Sequence, residues 1–274
     1  MVGNYIKCIE IDSLWRGIRH IRWELQPGVN VLSGINGVGK STILRKTVRQ
    51  LTLGKEQLGR DDYKDIGVHL TFEPSDAETV RFDVIKGMDR PLMSADVLQR
   101  VADRHMRTEL DWQLYQLQRR YLDYQVNQSN RIVQLFTAAD PAAQQKAAEI
   151  AAEKSHFQDV IDKLFKSTGK KIDRQSNEVY FHHLDERITP YMLSSGEKQM
   201  LIILLTVLVE DRQPTVLLMD EPEVSLHIEW QQQLLELILD LNPSAQIIVT
   251  THSPAVIMSG WMDRVTDVED IIID

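Results

Sequence analysis

The chain has 274 residues, a formal net charge of −9 and a hydrophobic fraction of 43%. This length suits one large domain or a domain with an inserted subdomain, and the composition excludes collagen-like, disordered and disulfide-scaffold proteins. A single cysteine, the lack of a signal-peptide core and the lack of a long apolar run together predict a cytoplasmic protein that neither spans a membrane nor is exported.

The first part of the chain predicts short strands around a glycine-rich loop. Apolar and polar residues alternate in the strand-like runs, and the loop is followed by a helical pattern. These three strands, the loop and the helix are expected, in this order, at 5–11, 18–25, 29–32, 34–39 and 41–53.

Two further strands are predicted at 66–72 and 79–86. The turn residues at 73–76 separate them by a short distance along the chain. We therefore expect the two strands to pair as a β-hairpin.

A helical pattern replaces the strand pattern from about residue 94. Residues 94–136 contain no Gly or Pro, and a second helical run extends from the break at Pro141 to about residue 166. Large residues recur in the first run at spacings of 4, 3, 4 and 3, namely Leu110, Leu114, Leu117, Tyr121 and Tyr124. The segment 94–166 is either a short antiparallel coiled-coil hairpin or an ordinary helical subdomain, since the pattern covers only about two heptads.

Strands and helices alternate in the last part of the chain. The strand patterns are almost continuously apolar, which is typical of a parallel sheet that is covered on both faces. The expected strand, helix, strand, helix and strand lie at 178–183, 196–210, 216–219, 228–241 and 245–250.

An anion-binding loop is predicted between the third strand and the first helix. Residues 34–41 fit the phosphate-loop pattern G-x-x-x-x-G-K-[ST]. Glycines let the backbone N–H groups approach an anion, Lys40 reaches the β- and γ-phosphates, and the Ser41 hydroxyl ligates Mg²⁺. The residues expected to bind ATP here are Gly34, Asn36, Gly37, Val38, Gly39, Lys40, Ser41 and Thr42.

Two acidic residues follow the buried strand 216–219. Ligands bind at the carboxyl end of such strands, so Asp220 is predicted to hold Mg²⁺ together with Ser41. Glu221 is predicted to orient and deprotonate the water that attacks the γ-phosphate. The same residues could simply cap the next helix, but the phosphate loop upstream favours the catalytic interpretation.

Residues 193–199 open the long helix 196–210 with a hydroxyl, a glycine and free helix-terminal N–H groups. Such a helix start is an anion site by its dipole and its N–H groups. Taken alone, the segment is more often an ordinary helix start. The residues assigned to a nucleotide here are Ser194, Ser195, Gly196 and Glu197.

The segments GINGVGKST, LSSGEKQ, VLLMDEPE and TTHSP occur in this order and resemble the ATP-binding-cassette (ABC) ATPases. The resemblance implies two ATP molecules sandwiched in a head-to-tail homodimer. By residue, it implies Lys40 and Ser41 in the Walker A role, Asp220 as the Walker B aspartate and Glu221 as the catalytic glutamate. Ser195 and Gly196 match the signature that acts in trans, and His252 matches the switch histidine.

The fold class that follows is α/β, a phosphate-loop NTPase of the ABC head type with a mainly parallel sheet, an antiparallel N-terminal β subdomain and a helical insertion. Residues 1–93 form the N-terminal ATPase lobe with the Walker A motif, 94–166 the insertion, and 167–274 the C-terminal lobe with the signature, Walker B and switch histidine.

His252 also has support from its position, because it follows the buried strand 245–250 at the same sheet edge as Asp220. An imidazole there can hydrogen-bond the γ-phosphate or the attacking water. One expected feature is absent, since the glutamine that ABC ATPases carry after the early strands has no counterpart in 66–93, and Gln99 is the next one. Trp15 is the candidate for stacking on adenine.

The form EPEVSLHIEWQ after the Walker B aspartate resembles the soluble branch of the family, which includes chromosome-maintenance, RecF-like and OLD-type ATPases. The leading hypothesis is an ATP-driven dimeric switch that controls a partner effector in bacterial anti-phage defence or DNA maintenance. Only about 20 residues follow the switch-histidine region, so we expect any nuclease or toxin to be a separate chain.

The alternatives are a nucleic-acid-clamping ATPase of the SMC or RecF type and, less favoured, the energy-coupling subunit of a membrane transporter. Residues 95–175 carry 13 Lys and Arg against 11 Asp and Glu, a net charge of 13 − 11 = +2 on an otherwise acidic chain. This small excess is most often a solvated helix face. If nucleic acid binds, the expected contacts are Arg100, Arg104, Arg107, Arg119 and Arg120.

Overall fold

The computed structural model of the protein describes residues 1–14, 19–56, 67–87, 106–138 and 141–273. No helix within these ranges is long and apolar enough to cross a membrane. The chain forms two compact units, the first made of residues 1–88 and 212–274 and the second of residues 89–211.

The secondary-structure elements are numbered in chain order. The N-terminal elements are β1 (Val2–Gly3), β2 (Tyr5–Ile11), β3 (His20–Glu24), β4 (Val29–Ser33), α1 (Lys40–Glu56), β5 (Val68–Glu73), β6 (Thr79–Val80) and β7 (Phe82–Lys86). The central elements are α2 (Glu109–Thr137), α3 (Ala143–Leu164), β8 (Lys171–Ile172), β9 (Phe181–His183), β10 (Glu186–Ile188) and α4 (Ser195–Val209). The C-terminal elements are β11 (Thr215–Asp220), α5 (Ile228–Leu241), β12 (Ala245–Thr250), α6 (Pro254–Met258), β13 (Val265–Asp267) and β14 (Ile272–Ile273).

A five-stranded parallel sheet lies at the centre of the first unit, with the strand order β13-β4-β12-β11-β7. Its inner strands β4, β12 and β11 are buried almost throughout, as their apolar sequences predict. The register pairs Asp220 at the end of β11 with Thr250 at the end of β12, and Thr250 with Leu32 near the end of β4. The carboxyl ends of these strands therefore share one edge, and the predicted α/β fold class is confirmed.

An antiparallel sheet with the order β14-β3-β2-β5 forms the second layer of this unit. It is the antiparallel N-terminal β subdomain that the sequence predicts, closed by a strand from the C-terminus. A shared core of buried side chains, among them Ile9, Trp23, Ile43, Leu218 and Ile248, lies between the sheets and α1.

The predicted hairpin between 66–72 and 79–86 is wrong. β5 pairs with β2 in the antiparallel sheet, whereas β7 pairs in parallel with β11 in the other sheet. Local alternation and a turn identify strands but not their partners, and here each strand gains more by lying along a long, buried strand elsewhere in the chain. The connection that holds β6 carries the chain from one layer to the other.

The second unit is mainly helical. The five residues of the heptad pattern in α2 are all buried, and α2 contacts both α3 and α4. Val133 and Phe136, in the last two turns of α2, are more than half exposed. A small antiparallel sheet of β8, β9 and β10 completes the unit, and the predicted strand at 178–183 is shorter, since β9 begins at 181. The lobe boundaries after 93 and 166 stay a prediction, and the compact unit 89–211 also contains α4.

Candidate nucleotide-binding site

The glycine-rich loop follows β4 and leads directly into α1, as the phosphate-loop pattern requires. Gly34, Gly37 and Gly39 have φ values of 144°, 84° and 111°, a region that other residues rarely adopt. At Gly34 a Cβ would also lie 2.9 Å from Cγ1 of Val38. The loop can keep this shape only with glycine at these positions, and it leaves Asn36 exposed and Val38 buried.

Lys40 points back into the loop. Its Nζ donates to the carbonyl oxygens of Gly34 at 2.8 Å and Ile35 at 3.2 Å, and it lies 2.6 Å from Nε2 of His252. Burial lowers the pKa of this ammonium below its ordinary value, and the nearby carboxylates of Glu221 and Asp220 oppose that shift. The result is a desolvated cation that donates to two carbonyl oxygens of the loop and lies beside His252, at a position where an anion bound in the loop would accept its hydrogen bonds.

Ser41 and Asp220, the residues predicted to hold Mg²⁺, lie together. Ser41 Oγ donates to Asp220 Oδ1 at 2.9 Å, and Thr250 Oγ1 donates to the same oxygen at 2.5 Å. A hydroxyl and a carboxylate are oxygen ligands of the kind that Mg²⁺ prefers. Thr42, the next residue of the loop, is half-buried, and its Oγ1 accepts a bond from Arg45 at 3.3 Å.

Glu221 starts the turn after β11 in the left-handed region, with a φ of 46°. This conformation is costly for a residue with a Cβ, and two bonds from its N–H hold it, to Thr250 O at 2.9 Å and Thr250 Oγ1 at 3.3 Å. The end of β7 approaches the same turn, because a Cβ on Gly87 would lie 2.6 Å from the carbonyl oxygen of Asp220 and closer still to that of Glu221. Gly87 therefore belongs to the site, although the sequence analysis did not single it out.

His252 reaches both charged groups of the site through one atom. Its Nε2 is 2.6 Å from Lys40 Nζ and 3.3 Å from Glu221 Oε1. An ammonium has only donors, so Nε2 accepts from Lys40 here and the ring carries its proton on Nδ1. If Lys40 turns towards a phosphate, the same nitrogen can donate to Glu221 Oε1 once it carries a proton, because a carboxylate oxygen only accepts.

Glu223 and Gln231 hold the loop that carries His252. A carboxylate oxygen of Glu223 accepts from the hydroxyl of Thr251 and, at 3.2 Å, from the backbone N–H of His252. Gln231 on α5 accepts from Ser253 Oγ at 2.6 Å and donates to the carbonyl oxygen of Glu223 at 3.3 Å. Sequence reasoning missed both residues, since only the long-range contact between the turns after β11 and β12 reveals their role.

The predicted signature residues lie in the second unit, at the start of α4. Ser194 is the N-cap, and Ser194 and Ser195 are exposed while Gly196 is half-buried. Glu197 differs from the expectation of a nucleotide contact, because its side chain is buried and completes a capping box with Ser194. Burial raises the pKa of this carboxyl, but hydrogen bonds from Lys170, Ser194 and Thr168 outweigh burial and lower it overall. We assign Glu197 to positioning the turn rather than to contacting a ligand.

Other predicted residues are placed as follows. Trp15, Gln99, Arg100 and Arg104 lie outside the described residues. The guanidinium of Arg119 lies over the ring of Tyr115 and 3.8 Å from Glu178, and Arg120 pairs with Glu210. Arg107 is exposed.

Comparisons with known proteins agree with this fold. Residues 58–259 match the family described as "AAA domain, putative AbiEii toxin, Type IV TA system". The Septu protein PtuA of Bacillus thuringiensis is 23% identical over 305 aligned positions, which cover 94% of this chain and 74% of that protein. The phosphate import ATP-binding protein PstB of Pyrococcus furiosus is 30% identical over 102 positions, which cover 35% of this chain and 39% of that protein.

Among solved structures, the Smc head bound to the C-winged helix domain of ScpA superimposes with a TM-score of 0.50 at 12% identity, over 93% of this chain and 91% of that chain. This likeness concerns the fold. The family match includes the signature, Asp220, Glu221 and His252 and covers well over half of the chain. The chain therefore belongs to this AAA-domain family, and its fold is that of the phosphate-loop heads of the ABC and SMC type.

Proposed function

We propose that the protein is an ATP-driven switch that closes as a head-to-tail homodimer on ATP and opens after hydrolysis. The observation that carries the proposal is the convergence of five predicted residues at the carboxyl edge of one parallel sheet, where Lys40, His252 and Glu221 form one contacting group and Ser41 and Asp220 form another. These residues are Lys40, Ser41, Asp220, Glu221 and His252.

The residues present fit ATP with Mg²⁺. The glycine cradle requires positive φ at three positions and places the buried ammonium of Lys40 where phosphate oxygens would accept its donors. Ser41 and Asp220 would hold Mg²⁺, as their shared hydrogen bond brings two oxygen ligands together. The bound nucleotide supplies the phosphoanhydride bond, and the metal ion neutralises charge on the phosphates.

In this proposal Glu221 acts on the attacking water. Its left-handed turn directs it towards His252, 3.3 Å away, at the sheet edge where Lys40 begins α1. A carboxylate there can orient a water and accept its proton, which is worth roughly 10²–10⁴-fold in rate for general bases. His252, held by Glu223, would orient the same water or the phosphate by its Nε2.

Exposed apolar side chains support a partner-covered face at this edge. Four apolar side chains are each 59% to 74% exposed: Ile35 and Val224 lie in the loops after β4 and β11, Ile228 begins α5, and Met258 ends α6. Exposed apolar residues near a predicted site are typical of association surfaces. The exposed Ser194 and Ser195 at a helix start have the chemistry to meet the phosphates of the other copy.

A defence role for the switch has support from the relatives. The description of the matched family names a toxin of a type IV TA system, and one relative is a Septu protein. We propose that the dimer controls a separate effector, a nuclease or a toxin, in bacterial anti-phage defence. The single cysteine agrees with the proposed cytoplasmic location, and no membrane partner is required.

The alternative of a nucleic-acid clamp has less support. Arg119 and Arg120, two of the arginines expected to contact phosphates, are already engaged with Glu178 and Glu210. Arg131, farther along α2, pairs with Asp211 at 2.6 Å. Guanidinium groups that are already paired with carboxylates neutralise fewer phosphates and therefore release fewer counterions from the nucleic acid, so a salt-dependent affinity is not expected from them.

The proposal is tested by phosphate release and by molar mass in solution. Purified wild type should hydrolyse ATP with Mg²⁺, and Glu221→Gln should bind ATP, hydrolyse it poorly and accumulate as a dimer in size-exclusion chromatography with light scattering. Lys40→Ala is the matched control that should remain monomeric with ATP. A Glu221→Gln protein that is monomeric at saturating ATP would contradict the switch.

A further inference from the structure

The first turn of α4 is held in place by residues that follow the end of α3. Ser194 donates from its N–H and from its Oγ to Oε2 of Glu197, both at 2.9 Å. The second carboxylate oxygen, Oε1, accepts from Lys170 Nζ at 2.8 Å and from Thr168 Oγ1 at 2.7 Å. Thr168 and Lys170 follow α3, so Glu197 ties the end of α3 to the predicted signature turn.

Lys198, the next residue of the same turn, is held in place by the start of α2. Lys198 Nζ lies 2.8 Å from Oδ1 of Asp111, and both side chains are nearly inaccessible. The other oxygen, Oδ2, accepts from the backbone N–H groups of Arg107 at 2.9 Å and Thr108 at 3.0 Å, which closes the capping box of α2. Lys198 therefore ties the start of α2 to the signature turn.

Glu197 and Asp111, the acids of the two capping boxes, thus each also form a buried ion pair with a lysine. Because Glu197 and Lys198 are consecutive, the first turn of α4 is held at once by the beginning of α2 and the end of α3. Separating either pair would leave a buried charge without its partner, which is far more costly than moving all three parts together. The start of α2, the end of α3 and the signature turn are expected to move together as one rigid body.

We propose that the ion pairs Lys170–Glu197 and Asp111–Lys198 couple the orientation of the α2–α3 helical pair to that of Ser194 and Ser195. Lys170 and Asp111 are then positioning residues of the ATPase, which act through the signature turn and touch no nucleotide. The proposal rests on the proposed function, in which this turn completes the ATP site of the other copy. Through these ion pairs, a change in the orientation of α2 and α3 would change the rate of ATP hydrolysis.

The first test removes one cation from the coupling. Lys170→Met should lower kcat for ATP about tenfold or more, as expected for a misplaced catalytic group, while ATP affinity at the phosphate loop stays unchanged. Lys170→Arg should restore most of the rate, since it keeps the charge. Lys166→Met is the matched control, because Lys166 is an exposed lysine four residues away. Equal kcat values for Lys170→Met and Lys166→Met would overturn the proposal.

The second test reads the coupling without ATP turnover. The double variant Asp111→Asn/Lys198→Met replaces the ion pair by neutral groups, which keeps the unit folded because no charge is left unpaired. Hydrogen–deuterium exchange should rise about tenfold at the start of α2 and in the first two turns of α4 together, because the ion pair holds both. Exchange in α4 equal to that of wild type would overturn the coupling. If wild type hydrolysed no ATP, the proposed function would fail while this exchange result still decided the inference.

Discussion

Replacing Gly87 by alanine tests whether the end of β7 sets the geometry of Asp220 and Glu221. The added Cβ would lie 2.6 Å from the carbonyl oxygen of Asp220 and closer to that of Glu221. Carbon–oxygen contacts between strands lie at about 3.3–3.6 Å, so the two chain segments must separate by at least about 0.7 Å at Asp220 and by more at Glu221. The neighbouring atoms are backbone, so no side-chain rotation can relieve the contact.

The expected loss of stability and turnover in Gly87→Ala follows from the displacement of the backbone at Asp220 and Glu221. Overpacking of this kind costs about 1–3 kcal/mol of folding stability. A displacement approaching 1 Å at a catalytic group lowers turnover by about 10²-fold, and this is the loss that we expect for Gly87→Ala. ATP affinity should change little, because the phosphate loop and Lys40 follow a different strand, β4.

The assay compares steady-state phosphate release and ATP binding for wild type, Gly87→Ala and Gly28→Ala. Gly28 is the matched control, since a Cβ there would meet nothing within 4 Å. Turnover of Gly87→Ala equal to that of Gly28→Ala would refute the reasoning. That result would mean that β7, an edge strand, moves away from β11 while Asp220 and Glu221 keep their positions.

Three other predictions concern single side chains. Lys40→Ala should lose ATP binding in a fluorescent-nucleotide titration, because the loop loses its buried cation; wild-type affinity would remove the phosphate-loop assignment. Glu223→Gln should lower kcat about tenfold with little change in KM, since it weakens the bonds that hold the His252 loop, and an unchanged kcat would argue against that role. The lowered pKa of Glu197 means that its stabilising contribution is complete above the ordinary glutamate pKa of about 4.3 and is lost as the pH falls through the lower folded-state value. Urea denaturation should therefore show wild type losing more stability than Glu197→Gln below about pH 4.3, and parallel curves would contradict this.

The elements that carry the nucleotide chemistry could be predicted from the sequence because their signals are local. Short apolar runs located β4, β11 and β12 within one or two residues of their observed ends. Since the carboxyl ends of parallel strands meet at one edge, the convergence of Lys40, Asp220 and His252 could also be expected before the fold was seen.

What could not be predicted depends on contacts between distant segments. The partners of β5 and β7 are set by buried strands far along the chain, and Gly87 matters only because β11 lies beside it. Glu223 acts through Thr251 and His252, 28 and 29 residues away. One signal was available locally, since Ser194 and Glu197 have the spacing of a capping box, which already indicates an internal partner for the carboxylate.

The most direct test of the central claim is an equimolar mixture of Ser195→Arg and Glu221→Gln. Each variant alone should be nearly inactive, the first in its signature and the second in its catalytic carboxylate. In a head-to-tail dimer the mixed pair has one complete site, so the mixture should recover phosphate release, up to about a quarter of the wild-type rate for random pairing. A mixture no more active than the sum of its two components would contradict an ATP site shared between two copies of this chain.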